Sequence, residues 1–169
     1  MRWLPVMMSL VAGMLSGCSS QPHTEEVLQR YDIHGMEDVV TRSGVAFDPE
    51  VTSDANGSLR LTAAGTTTFR LYELADMDVE DTRLVYRAKI RTEGVDGKAY
   101  LEMWCSFPGM GEFFSRALHA PVSGTNEWTT QETPFFLKAG QNPDRVKLNL
   151  VVEGSGTVWI DDIVLARAG

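Results

Sequence analysis

The sequence predicts an all-β protein of about eight or nine short strands, closed into a sandwich or a barrel. Three observations carry this expectation. From Gly44 onward, runs rich in Val, Ile, Leu, Thr and aromatic residues recur at regular spacing. Turn signals such as Asp54-Ala55-Asn56-Gly57 and Pro108-Gly109 separate them. Within the runs apolar and polar residues alternate with period two, the pattern of strands with one buried face.

Residues 1–17 read as a leader. Arg2 gives a basic start, and Trp3 to Met14 is apolar but too short for a comfortable membrane span. Leu15-Ser16-Gly17-Cys18 then resembles the lipobox of bacterial lipoproteins. That resemblance implies cleavage before Cys18, acylation of its sulfur and amine, and anchoring in the bilayer of the cell envelope. Ser19 after the cysteine points to the outer membrane if the host is Gram-negative. Residues 18–35 form the lipidated tether. Within it Thr24 to Tyr31 is expected to make a short helix, with Thr24 as cap and Glu25 and Glu26 in the first turn.

Residues 36–169 are the β domain. Val45 to Phe47 opens it. Leu59 to Ala63 and Thr67 to Leu71 are expected to form a hairpin around Ala64-Gly65. Asp76 to Asp81 is an acidic loop. Leu84 to Thr92 and Ala99 to Phe107 follow, with a turn expected at Asp96-Gly97. Phe113 to Ala120, Trp128 to Leu137, Arg145 to Val152 and Thr157 to Leu165 complete the set.

Alternation assigns the faces. Leu84, Tyr86, Ala88 and Ile90 point to the core, as do Leu101, Met103, Cys105 and Phe107, and Val146, Leu148, Leu150 and Val152. Tyr100, Glu102 and Trp104 then face outward as a stripe. Arg87, Lys89, Lys147 and Asn149 can join it if their strands are neighbours. Such a stripe suits a sugar, whose apolar faces stack on aromatic rings and whose hydroxyls need charged or amide partners. It suits equally a face covered by another part of the chain, with Glu102 paired to Arg87 or Lys147. Glu112, beside Phe113 and Phe114, lies at the edge of the loop that follows. In the last strand, keeping Val158, Ile160, Ile163 and Leu165 all inward requires a bulge at Asp161-Asp162, with one carboxylate held there.

Several functions find little support. The net charge of −8 leaves no basic footprint for nucleic acid. His23, His34 and His119 are scattered, and Cys105 faces the core, where a thiol is inert. Glu102 and Glu112 are the pair that evokes a glycosidase, and a sandwich of this size offers them no deep cleft. The expectation is a protein that is not an enzyme.

Three segments resemble those of galactose-binding-like jelly rolls. They are Asp54-Ala55-Asn56-Gly57-Ser58-Leu59-Arg60-Leu61, Asn126-Glu127-Trp128 followed by Phe135-Phe136-Leu137, and Val158-Trp159-Ile160-Asp161-Asp162-Ile163. The nearest group is the carbohydrate-binding modules attached to xylanases and cellulases. The resemblance implies a two-sheet jelly-roll β-sandwich, a sugar-binding sheet face or loop edge, and often a structural calcium, for which Asp161 is the candidate ligand. A carboxylate satisfied by backbone N–H groups at the bulge is the alternative for Asp161. The functional classes are a carbohydrate-binding lipoprotein and a structural or protein-interaction lipoprotein using the same face. A glycan-acting enzyme ranks a distant third.

Overall fold

A computed structural model describes residues 24–169. The strands, in chain order, are β1 (Glu25–Tyr31), β2 (Val45–Asp48), β3 (Ser58–Ala64), β4 (Thr67–Ala75), β5 (Arg83–Phe107), β6 (Gly111–Arg116), β7 (Val122–Phe136), β8 (Arg145–Glu153) and β9 (Ser155–Ala168). No helix occurs among the described residues. The expected leader and Cys18 lie outside them.

β5 organises the fold. Its first half pairs with β9 and β7, and its second half with β8 and β6. One layer therefore runs β2-β3-β9-β5-β7, with β1 along the C-terminal half of β9. The other runs β4-β8-β5-β6. Leu59, Leu61, Tyr86, Ile90, Val158 and Ile160 of the first layer meet Phe69, Leu71, Leu101, Met103, Leu148 and Leu150 of the second, all essentially inaccessible to solvent. This is the predicted two-sheet sandwich, and the inward parity read from the sequence holds along β5, β8 and β9.

Three local expectations are corrected. The turn at Asp96-Gly97 does not form, and β5 runs through it as one 25-residue strand. Register shifts between Ile90 and Ala99 take up the bend that carries the strand from one layer to the other. Gly97 serves close approach, since a Cβ there would lie 1.7 Å from the Glu153 carbonyl oxygen. Asp96 holds the connection from β8 to β9 by accepting the Ser155 N–H and hydroxyl.

β3 and β4 are not a hairpin. β3 pairs with β2 and β9, while β4 pairs with β8, so the chain arches at Gly65 from one layer to the other. A hairpin and an arch demand the same alternation, because both turn one apolar face to one core. Local pattern does not separate them.

The expected helix at 24–31 is strand β1, and these residues belong to the sheet and not to a tether. Their acids meet arginines of distant strands. Arg87 grips both oxygens of Glu25 at 2.7 and 2.8 Å, and Arg167 donates to Glu26 at 2.7 Å. Arg30 pairs with Asp162. Tyr31 stacks on Tyr72 with ring centroids 3.7 Å apart. A helix of one or two turns has no comparable gain to set against its nucleation cost.

Candidate functional site

The outward face of β4-β8-β5-β6 is read off the strand registers. One row crosses the sheet as Arg70, Asn149, Glu102 and Arg116. The next crosses as Glu73, Lys147, Trp104 and Phe114. Glu112 closes the far side, opposite Ser106. Of these residues Arg70, Asn149, Glu102, Arg116, Lys147, Trp104 and Glu112, together with Thr68, outline a cleft of about 310 Å³, at the low end for small-molecule sites.

The floor of the cleft is polar and buried. Glu102 is 3% exposed and Asn149 4%. Glu102 accepts from Arg116 Nε at 2.6 Å and from Asn149 Nδ2 at 3.0 Å. These two donors offset the cost of burying the carboxylate. The Asn149 amide is thereby fixed in orientation, because a carboxylate only accepts. Its Oδ1 is buried and accepts from no described residue. An unfilled acceptor in such a place is uncommon in folded proteins.

The walls are aromatic and charged. Trp104 is half-buried, with its ring 5.0 Å from that of Phe114 and tilted by 46°. The Arg116 guanidinium lies 4.3 Å from the Phe114 ring centroid. Lys147 Nζ donates to Glu112 Oε1 at 2.6 Å, and the Ser106 hydroxyl donates to the same oxygen. These bonds, Lys147 first, hold the Glu112 carboxyl below its ordinary value. The arrangement sets a half-buried indole, a buried amide oxygen without a donor in the adjacent row, and fixed charges side by side.

The stripe foreseen from the sequence is divided by the structure. Glu102, Trp104, Asn149 and Lys147 do converge. Tyr100 has the right parity but is 3% exposed, so it presents no free ring face. Its hydroxyl donates to Glu153 at 2.8 Å, and burial, with that carboxylate, pushes its pKa up to about 12. Arg87 and Lys89 do not join the cleft. They lie in the first half of β5, in the other layer, where Arg87 binds Glu25 and Glu132 and Lys89 lies 3.5 Å from Asp162. Glu102 is paired by Arg116 and not by Arg87 or Lys147. Phe114, Arg116 and Arg70 were missed. The hairpin at Pro108-Gly109 carried the signal for the first two, since counting outward from it pairs Trp104 with Phe114 and Glu102 with Arg116.

Asp161 sits at the predicted bulge. Between Arg87 and Lys89 of β5 the register shifts against β9, and Asp162 takes φ 50°. Asp161 is 1% exposed. One carboxylate oxygen accepts the Asp162 N–H at 2.7 Å and the other the Ser53 N–H at 2.8 Å. The neighbouring Asp48 is likewise taken by N–H donors, from Glu50, Val51 and the Trp159 indole. A calcium site needs converging oxygens. These carboxylates face N–H groups, and no three metal-ligating side chains cluster among the described residues. The donor set at Asp161 does not fit calcium. Cys105 is fully buried, and burial pushes its thiol up to about 12, which leaves it no nucleophilic character near neutral pH.

Solved structures share this architecture. The CBM22-1 xylan-binding domain from Paenibacillus barcinonensis Xyn10C matches with a TM-score of 0.58 at 14% identity, over 87% of this chain and 97% of that one. A Family 16 Carbohydrate Binding Module-2 matches with a TM-score of 0.57 at 12% identity, over 78% and 92%. The CBM22-1-GH10 modules of Clostridium thermocellum Xyn10B, complexed with xylohexaose, give 0.63 at 9% identity, over 86% of this chain and 29% of that longer one. At these identities the likeness establishes the fold: the chain is a β-sandwich of the kind that carbohydrate-binding modules adopt. No protein-family model and no curated protein matches the chain.

Proposed function

We propose that this protein is a non-catalytic carbohydrate-binding lipoprotein that takes a glycan in the β4-β8-β5-β6 cleft. The observation that carries the reading is the half-buried Trp104 in the row adjacent to the unfilled Asn149 Oδ1, on a fold shared with carbohydrate-binding modules. A pyranose presents an apolar ring face to the indole and a hydroxyl donor to the amide oxygen. Glu102 and Glu112 are each tied to a cation, which suits binding better than proton transfer. The lipobox-like Leu15-Ser16-Gly17-Cys18 supports an acyl anchor at Cys18 that holds the module on a bacterial envelope membrane.

A second reading rests on β6. Met110, Phe113 and Phe114 are each about half exposed at this edge strand, and such a patch suits docking of an envelope protein. Affinity electrophoresis in gels cast with xylan or other β-linked glycans separates the two. Retardation by a glycan supports the first reading, and migration unaffected by every glycan in the panel supports the second. Membrane fractionation of Cys18→Ser tests the anchor, which predicts release of the variant into the soluble fraction.

A further inference from the structure

The charges of the cleft do not balance, and the surplus is localised. Arg70, Arg116 and Lys147 line it against Glu102 and Glu112. Arg116 is neutralised by Glu102 and Lys147 by Glu112, each at 2.6 Å. Arg70 has only a longer ion pair with Glu73, a carboxylate that it shares with Arg145. Its Nη1 lies 3.7 Å from Glu73, beyond hydrogen-bond length, and the other Glu73 oxygen is taken by Arg145 at 3.1 Å. The Arg70 side chain is 45% exposed. Its field reaches across the cleft, where it contributes to lowering the Glu112 carboxyl. A cationic cleft on a chain of net charge −8 is a local feature and not the average of the surface.

Geometry places this surplus beside the unfilled acceptor. Arg70 and Asn149 are direct cross-strand partners, so their Cβ atoms are roughly 5 Å apart. That is about the span of one pyranose ring. We infer that the glycan taken in this cleft is acidic: a uronate-bearing sugar whose carboxylate meets the Arg70 guanidinium while a ring hydroxyl donates to Asn149 Oδ1 and the ring packs on Trp104. Arginine suits this task because its planar fork matches the two oxygens of a carboxylate. The inference rests on the glycan reading above and names the class of sugar within it.

The test compares polyuronates with their own neutral forms. Polygalacturonate, alginate and glucuronoxylan are each titrated calorimetrically into the protein, beside the same polymer after carboxyl reduction, with neutral xylan as reference. At least one polyuronate binds about tenfold more tightly than its reduced form, the scale of one charge-assisted hydrogen bond. Arg70→Gln brings that ratio close to one. Arg167→Gln, which alters an exposed ion pair on β9 outside the cleft, leaves the ratio as it was. Equal binding of every polyuronate and its reduced form overturns the inference and leaves the glycan reading standing. So does a preference that survives Arg70→Gln, or one that Arg167→Gln abolishes equally. Binding of none of these polymers, neutral xylan included, overturns both.

Discussion

Asn149 donates through Nδ2 to Glu102 Oε1 at 3.0 Å, and this bond sets the character of the cleft floor. It fixes the amide so that its acceptor oxygen is left without a donor, and it shares the carboxylate with Arg116. Glu102→Ala removes the partner of both. The expected loss is about 2 kcal/mol in urea denaturation, since a buried amide and a partly exposed guanidinium each lose a bond. Glu102→Gln keeps an acceptor for one of the two donors, so its stability should fall between wild type and Glu102→Ala. Equal stability of all three proteins would contradict the floor described here.

Asp48 gives the fold an acid-sensitive contact. The Trp159 indole N–H, then the Val51 and Glu50 amides, hold its carboxyl below the ordinary 3.8, against a smaller upward push from burial. A folded value lower than the unfolded one contributes stability that is present above 3.8 and is lost as pH falls through the folded value. The expectation is a Tm unaffected by this group between pH 5 and 8, then a decline below about pH 4 that is shallower in Asp48→Asn. Thermal scans of both proteins across that range check it. Parallel declines would remove Asp48 from the account.

Asp161 is predicted to work without a cation. Its oxygens are satisfied by the Ser53 and Asp162 N–H groups. Excess calcium or a strong chelator should therefore leave the Tm unchanged. Asp161→Ala should cost about 2 kcal/mol, because it leaves two buried N–H groups without an acceptor. A Tm that rises with calcium and falls with chelator would restore the metal-ligand role that the family resemblance implies.

Much of this fold was legible because strands write their faces locally. Val146, Leu148, Leu150 and Val152 alternate with Lys147 and Asn149, and the core lies where that parity puts it. The bulge at Asp161-Asp162 was legible for the same reason, since Val158, Ile160, Ile163 and Leu165 cannot all face inward without one. Neighbour relations were not legible. Nothing near Glu25 announces that Arg87 will grip it, so a short acidic segment read as a helix N-terminus became an edge strand. Arg87 and Trp104 lie on one continuous strand, yet its bend sends them to different layers. Arg70 joined the cleft because β4 lies beside β8, a pairing that the expected hairpin with β3 had obscured.

Trp104 carries the central claim, and its truncation tests it most directly. Isothermal titration of wild type and Trp104→Ala against a bound glycan should show an affinity lower by about tenfold, roughly the 1.4 kcal/mol at the upper end of what a stacked aromatic contributes. The Tm should stay within about 5 °C, because the indole is half-buried and outside the core. Undiminished affinity in the variant would mean that the glycan does not bind in this cleft.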